Sequence, residues 1–198
     1  MLSRHKGFSL IELLVTLVIL AIVLTVAVPG VSTWVRNASV RATAESLQSG
    51  LQMARIEAIR RNSVVRFQLV SGLINGCTAS TSAANWVISL DDVTASGGTC
   101  GAVPSDTDAP RVVQKKPAEE GSDGRTSIAA STAVFSFNGL GQRNSAPTTD
   151  AVINITHQSG TCNASGGQVR CLRLVVSRSG QIRMCDPARA AGDPMGCT

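Results

Sequence analysis

Residues 8–28 form an unbroken apolar run with a single ionisable side chain, Glu12. As a helix rising about 1.5 Å per residue, the run is about 31 Å long, matching a hydrocarbon core of ~30 Å. No other stretch constrains the chain as strongly. It predicts a membrane-spanning helix, with everything after Val28 hung on it as a domain. Arg4, His5 and Lys6 precede the run, and Gly7 separates them from Phe8. A secretory signal peptide has its small-residue cleavage site after its apolar region. Here the glycine comes first and no clear A-x-A site follows, Ala21, Ala27 and Gly30 being the nearest small residues. A plain anchor has no use for Glu12, because a carboxylate at mid-bilayer costs about 2.5–3.5 kcal/mol and such residues are usually functional.

The heptapeptide Lys6-Gly7-Phe8-Ser9-Leu10-Ile11-Glu12 resembles the N-terminus of the type IV pilin and type II secretion pseudopilin superfamily. The resemblance implies that a prepilin peptidase cuts between Gly7 and Phe8 and methylates the new Phe8 amine. It also implies a partner for Glu12, the N-terminal amine of an adjacent subunit, so that the pair sets axial register in a filament. A carboxylate buried without that amine would be uncompensated. The alternative for Glu12 is a carboxylate that is protonated or snorkels near the headgroups. Arg4 and Lys6 keep the leader on the cytoplasmic side of the inner membrane, which puts the domain in the periplasm.

Pro29 and Gly30 interrupt the helical pattern and predict a kink, since proline removes a backbone bond and glycine adds freedom. Periodicity then returns over residues 31–61. Leu47, Leu51, Ala54 and Ala58 share one face, with Val31, Trp34 or Val35, and Ala38 earlier on a similar face. This amphipathic half must lie on something. Its segment LQSGLQMARIEAIRRN, residues 47–62, resembles the H-type pseudopilins and their pilus relatives of the GspH, FimT and FimU group. Asn85-Trp86-Val87-Ile88-Ser89-Leu90-Asp91 resembles that group's Trp-containing strand, with Asn85 in place of a glycine.

Strands are predicted over residues 64–70, 85–91, 133–138, 151–156, 169–177 and 181–185, and residues 95–127 read as loop. The expected fold is α+β and pilin-like: a long N-terminal helix packed on an antiparallel domain of six or seven short strands. Its expected divisions are a leader over 1–7, a membrane half-helix over 8–28, a periplasmic half-helix over 29–62 and a β-rich domain over 63–198.

The six cysteines are Cys77, Cys100, Cys162, Cys171, Cys185 and Cys197. No CxxC pair exists and the two histidines lie far apart, so neither a zinc site nor any other metal or cofactor is expected. An even count behind a membrane anchor predicts disulfides in an oxidising compartment. Six cysteines allow 15 pairings. The simplest joins nearest neighbours, each pair closing a loop rich in Gly, Ser, Thr or Pro.

No catalytic constellation is present: there is no GxSxG, HExxH or P-loop. Asp91-Asp92 reads as a strand-end turn. The net charge is +5, and arginine dominates the basic side chains. Residues 85–124 carry an acidic excess, while Arg170, Arg173, Arg178, Arg183 and Arg189 make the C-terminal part basic. Ser177-Arg178-Ser179-Gly180-Gln181-Ile182-Arg183 resembles the Gly-Arg-x-Arg motif of the DNA-binding FimT branch, with Gln181 replacing the first arginine and Arg183 matching the second. Arg173, Arg178, Arg183 and Arg189 are thus candidate phosphate contacts. The alternative is that they pair with the acidic 85–124 region. The sequence therefore points to a minor pilin or pseudopilin that packs with other pilins and helps initiate or cap a fibre. A DNA receptor for uptake is the rival within the fold. An enzyme or periplasmic binding domain on a plain anchor is the rival outside it.

Overall fold

The computed structural model describes residues 8–95, 97–120, 124–144, 149–190 and 192–197, and for residues 26–30 the backbone only. Helix α1 spans Leu10–Arg61 and keeps its helical assignment through 29–30. The kink expected at Pro29 and Gly30 falls on residues whose side chains lie outside the description. So does the leader, including Gly7. The chain divides into two units, Met1–Val35 and Arg36–Thr198.

In the first unit every described large apolar side chain from Phe8 to Leu24 is exposed. The helix polar groups are satisfied locally: Thr16 Oγ1 donates to Leu13 O (2.8 Å) and Thr25 Oγ1 to Ile22 O (2.7 Å). Hydroxyls bonded back to the helix need no water of their own. Among the described residues no helix is long and apolar enough to cross a membrane. The span expected over residues 8–28 ends in side chains outside the description.

In the second unit α1 buries Val40, Ala44, Leu47, Leu51, Ala54 and Ala58. Ala38, expected on this face, is exposed, and Val31, Trp34 and Val35 belong to the first unit. Burial begins at Ser39, where its hydroxyl meets that of Thr126 (3.1 Å). The helix stops at Asn62, whose φ of 46° is left-handed, and Ser63 N–H bonds back to Ala58 O (3.2 Å). Asparagine tolerates this terminating conformation better than most residues.

Eight strands follow: β1 (Val65–Val70), β2 (Asn85–Ser89), β3 (Val112–Lys116), β4 (Thr126–Ala130), β5 (Val134–Phe137), β6 (Ala151–His157), β7 (Leu172–Val176) and β8 (Ile182–Cys185). They form two antiparallel sheets, ordered β3-β2-β1-β5 and β4-β6-β7-β8. A short 3₁₀ turn spans Asn163–Ser165. Strands β3 and β4 exceed the expected six or seven. Both are edge strands, where only one flank pairs. Of β3, only Val112 is buried and the other four residues are half-buried, as suits an edge. Of β4, only Ile128 is buried, so neither carries the apolar alternation by which strands are recognised.

One core joins the helix to both sheets through Phe67, Leu69, Trp86, Ile88, Phe135, Phe137, Ile153, Ile155 and Leu174. Gly50 lets the first sheet approach: a Cβ there would stand 2.7 Å from the Phe67 ring and 3.2 Å from that of Trp86. A second, smaller core of Val70, Val87, Val93 and Val112 lies beneath the Cys77–Cys100 bridge. The other bridges are Cys162–Cys171 and Cys185–Cys197, so all six cysteines are joined to their nearest neighbours. Buried Gln68 ties the small core together, accepting from Ser89 Oγ (3.1 Å) and Val93 N–H (3.1 Å) and donating to Asp92 (2.6 Å).

Candidate functional sites

The N-terminal candidate is Phe8 and Glu12 at the start of α1. Ser9 opens the helix, its carbonyl accepting from Glu12 N–H and Leu13 N–H (both 3.1 Å). Glu12 is an exposed carboxylate in the first helical turn, surrounded by exposed apolar side chains. The favourable field of the helix N-terminus acts on a charge at this position.

The arginine candidates do not act as one cluster. Arg189 is drawn to Asp193 (3.4 Å) within the Cys185–Cys197 loop. Arg170 pairs with the buried carboxylate of Asp186 (2.8 Å), and its backbone N–H donates to Asn37 (2.8 Å). These contacts tie down the tail and offset its charge. Arg173 donates to Asn154 Oδ1 across the β6–β7 pair (2.7 Å). None of these three turns to the acidic 85–124 segment.

Arg173 and Arg183 remain on one face. Directly paired residues share a face, and Arg173 pairs with Cys185 while Val175 pairs with Arg183. Leu172, Leu174 and Val176 fill the other face and are buried. Arg178 stands exposed at the tip of the β7–β8 turn, and among the described residues no hydrogen bond or ion pair reaches its side chain.

Two further arginines adjoin this turn, and sequence reasoning missed both. Arg55 on α1 donates Nε to Gly141 O (3.1 Å). Arg143 N–H donates to Arg178 O (3.0 Å), and burial holds the Arg143 guanidinium below the ordinary arginine range, with Asp150 opposing and Arg178 adding to the shift. The junction closes on two glycines. Gly180 has φ 79°, and a Cβ there would meet Gly141 O at 1.9 Å. The available signal was Gly139-Leu140-Gly141 and Ser179-Gly180, but their contact spans about forty residues of sequence.

The acidic segment is organised within the first sheet. Asp91 takes a bidentate pair from Arg111 (2.5 and 2.9 Å), and its hydrogen bonds with Arg111 hold its carboxyl below the usual range. Asp92 caps the following turn through Thr94 N–H (2.9 Å), so the doublet is a strand-end turn. A groove of about 360 Å³ is lined by Glu57, Arg60, Arg61, Pro104, Asp106 and Val112. Arg60, Glu57, Arg61 and Asp106 alternate in charge along it, with contacts of 2.6–2.8 Å. Hydrogen bonds to Arg60 chiefly, and to Arg61, depress the Glu57 pKa against its burial.

Residues 2–28 match the model of the prokaryotic N-terminal methylation motif. Residues 43–180 match the type II transport protein GspH model, and the chain belongs to the GspH family. Two crystal forms of the type IV minor pilin FimU from Pseudomonas aeruginosa PAO1 are similar in structure. One is 19% identical with a TM-score of 0.49, over 77% of this chain and 92% of FimU. The other is 21% identical with a TM-score of 0.47, over 77% and 97%. No curated protein sequence matches the chain.

Proposed function

We propose that the protein is a structural minor pilin or pseudopilin that helps initiate or cap a type IV pilus or type II secretion pseudopilus. A prepilin peptidase cleaves it between Gly7 and Phe8, residues 8–28 hold it in the inner membrane, and its domain faces the periplasm. Other major and minor pilins or pseudopilins are its partners. The observation that carries this reading is Glu12, a carboxylate in the first turn of an apolar helix whose side chains are otherwise uncovered. Such a group is costly in lipid and needs a cation. The freed Phe8 amine of a neighbouring subunit supplies one, and the helix slides to the register where the two meet. The test is Glu12→Gln in the native host. Incorporation into fibres should fall while leader cleavage is unchanged, and unchanged incorporation would remove Glu12 from assembly.

A second reading, DNA contact during natural transformation, is favoured by the exposed Arg178 at the tip of the β7–β8 turn. Each phosphate contact adds about −0.9 to the log–log salt slope of duplex binding. Arg178→Ala combined with Arg183→Ala should abolish that binding. Intact fibres with lost transformation in this double variant would favour DNA contact, whereas lost fibres would favour subunit packing.

A further inference from the structure

The chain has four phenylalanines, two tryptophans and no tyrosine. Phe67, Trp86, Phe135 and Phe137 are all buried in the core. The other two aromatics are Phe8, 81% exposed, and Trp34, 70% exposed. They bracket the apolar part of α1. Between Glu12 and Arg36 no residue is charged, so the uncharged run continues past Val28 to residue 35. The backbone is helical throughout that run. Val31 and Val35, one turn and one residue from Trp34, are exposed beside it.

The two tryptophans differ in kind. Trp86 lies 5.5 Å from Phe67 between ring centroids, and its indole N–H donates to Ser46 Oγ (3.3 Å). Among the described residues no hydrogen bond or ring contact holds Trp34. Packing within the subunit therefore does not account for this ring. An indole suits a membrane–water interface, where its body meets acyl chains and its N–H meets water and headgroups.

Distance along the helix decides whether Trp34 reaches that interface. From Glu12 to Trp34 the helix rises about 33 Å, and a tilt of about 20° reduces this to about 31 Å across the membrane. The hydrocarbon core is ~30 Å thick. A span ending at Val28 would run only about 24 Å from Glu12 and would draw the carboxylate about 6 Å into hydrocarbon. A span ending at Trp34 puts Glu12 and Trp34 at opposite boundaries, and Arg36, the next charge in the sequence, among the headgroups. Proline within a spanning helix is tolerated, so Pro29 does not forbid this placement.

We infer that Trp34 is an interfacial anchor: its indole seats in the headgroup layer of the periplasmic leaflet and sets the depth at which the subunit is held, with Glu12 at the cytoplasmic boundary. The inference rests on the reading of a membrane-held subunit and moves its outer boundary from Val28 to Trp34.

The test uses the full chain in phospholipid vesicles that carry brominated lipid, whose bromines quench tryptophan on contact. One set has bromines high on the acyl chain, near the headgroup, and the other has them near the bilayer centre. Emission of the parent should be quenched more by the shallow bromines than by the deep ones. Trp34→Phe should lose the quenching by both, because Trp86 is buried in the domain core. Val31→Trp combined with Trp34→Phe carries the indole about 4.5 Å deeper and should shift quenching toward the deep bromines. Equal quenching in the parent and in Trp34→Phe, stronger quenching of the parent by the deep set, or no shift in the double variant would overturn the anchor. So would a Trp34 shielded from both lipid bromines and aqueous acrylamide, which would assign the ring to a contact between subunits. Extraction of the chain from vesicles by alkaline carbonate would fail the membrane-held reading itself, whereas a chain that resists extraction but shows no quenching would fail the anchor alone.

Discussion

Gly50 gives a sharp test of how α1 meets the first sheet, because two opposing effects act at one position. Alanine in place of glycine inside a helix is ordinarily stabilising, by about 0.5–1 kcal/mol. Here the added Cβ would lie 2.7 Å from Phe67 Cε2, closer than such atoms can approach, and 3.2 Å from two Trp86 ring atoms. The Phe67 ring cannot easily retreat. It is fully buried, with the Trp86 centroid 5.5 Å away and the Phe135 centroid 6.1 Å away. Overpacking of this kind costs about 1–3 kcal/mol. The difference predicts that Gly50→Ala destabilises the domain by up to roughly 2.5 kcal/mol, with Tm lowered by up to roughly 10 °C. Gly72→Ala is the control, since nothing lies within 4 Å of a Cβ there and its φ is ordinary. It should change stability by less than about 0.5 kcal/mol. Both would be measured by thermal and urea unfolding of the oxidised domain. A Gly50→Ala variant more stable than the parent would mean that helix and sheet are not packed this tightly, and the reasoning would fail.

Three further outcomes follow from individual contacts. Replacing Cys185 and Cys197 by serine frees a 12-residue separation and should cost about 2–4 kcal/mol of unfolding free energy, measured by denaturant titration. Gly180→Ala combines a φ of 79° with a 1.9 Å clash and should destabilise by more than about 2 kcal/mol, whereas alanine at unhindered Gly166 should bear only the conformational cost. Glu57 has a folded pKa below its unfolded value, so its contribution is present above the unfolded value near pH 4.3 and is lost as pH falls through the folded pKa. Unfolding measured between pH 6 and 3 should therefore show a shallower acid dependence in Glu57→Gln than in the parent.

What the sequence disclosed reflects how local each signal is. Leu47, Leu51, Ala54 and Ala58 announce the buried helix face by spacing alone, and all four are fully buried. The outer limit of that face was not readable. Ala38 fits the period, but its exposure could not be read from spacing. Nearest-neighbour pairing was the simplest of the 15 arrangements the cysteines allow, and the three bridges take it. The edge strands β3 and β4 were missed because their stability comes from pairing with β2 and β6 and not from their own apolar content. At the candidate sites, the arginines were visible as residues but their partners were not. Arg189 and Arg170 are matched by Asp193 and Asp186 through the folding of the tail, and Arg55 and Arg143 join Arg178 only because Gly141 meets Gly180.

The central claim is that this chain is processed as a pilin-type subunit. The most direct measurement is mass spectrometry of the N-terminus of the mature protein from native membranes and from sheared fibres. The account predicts a chain beginning at Phe8 with one added methyl group on its amine, in both fractions. A chain that keeps residues 1–7, or one that begins after the apolar run near Ala27 or Gly30, would contradict it.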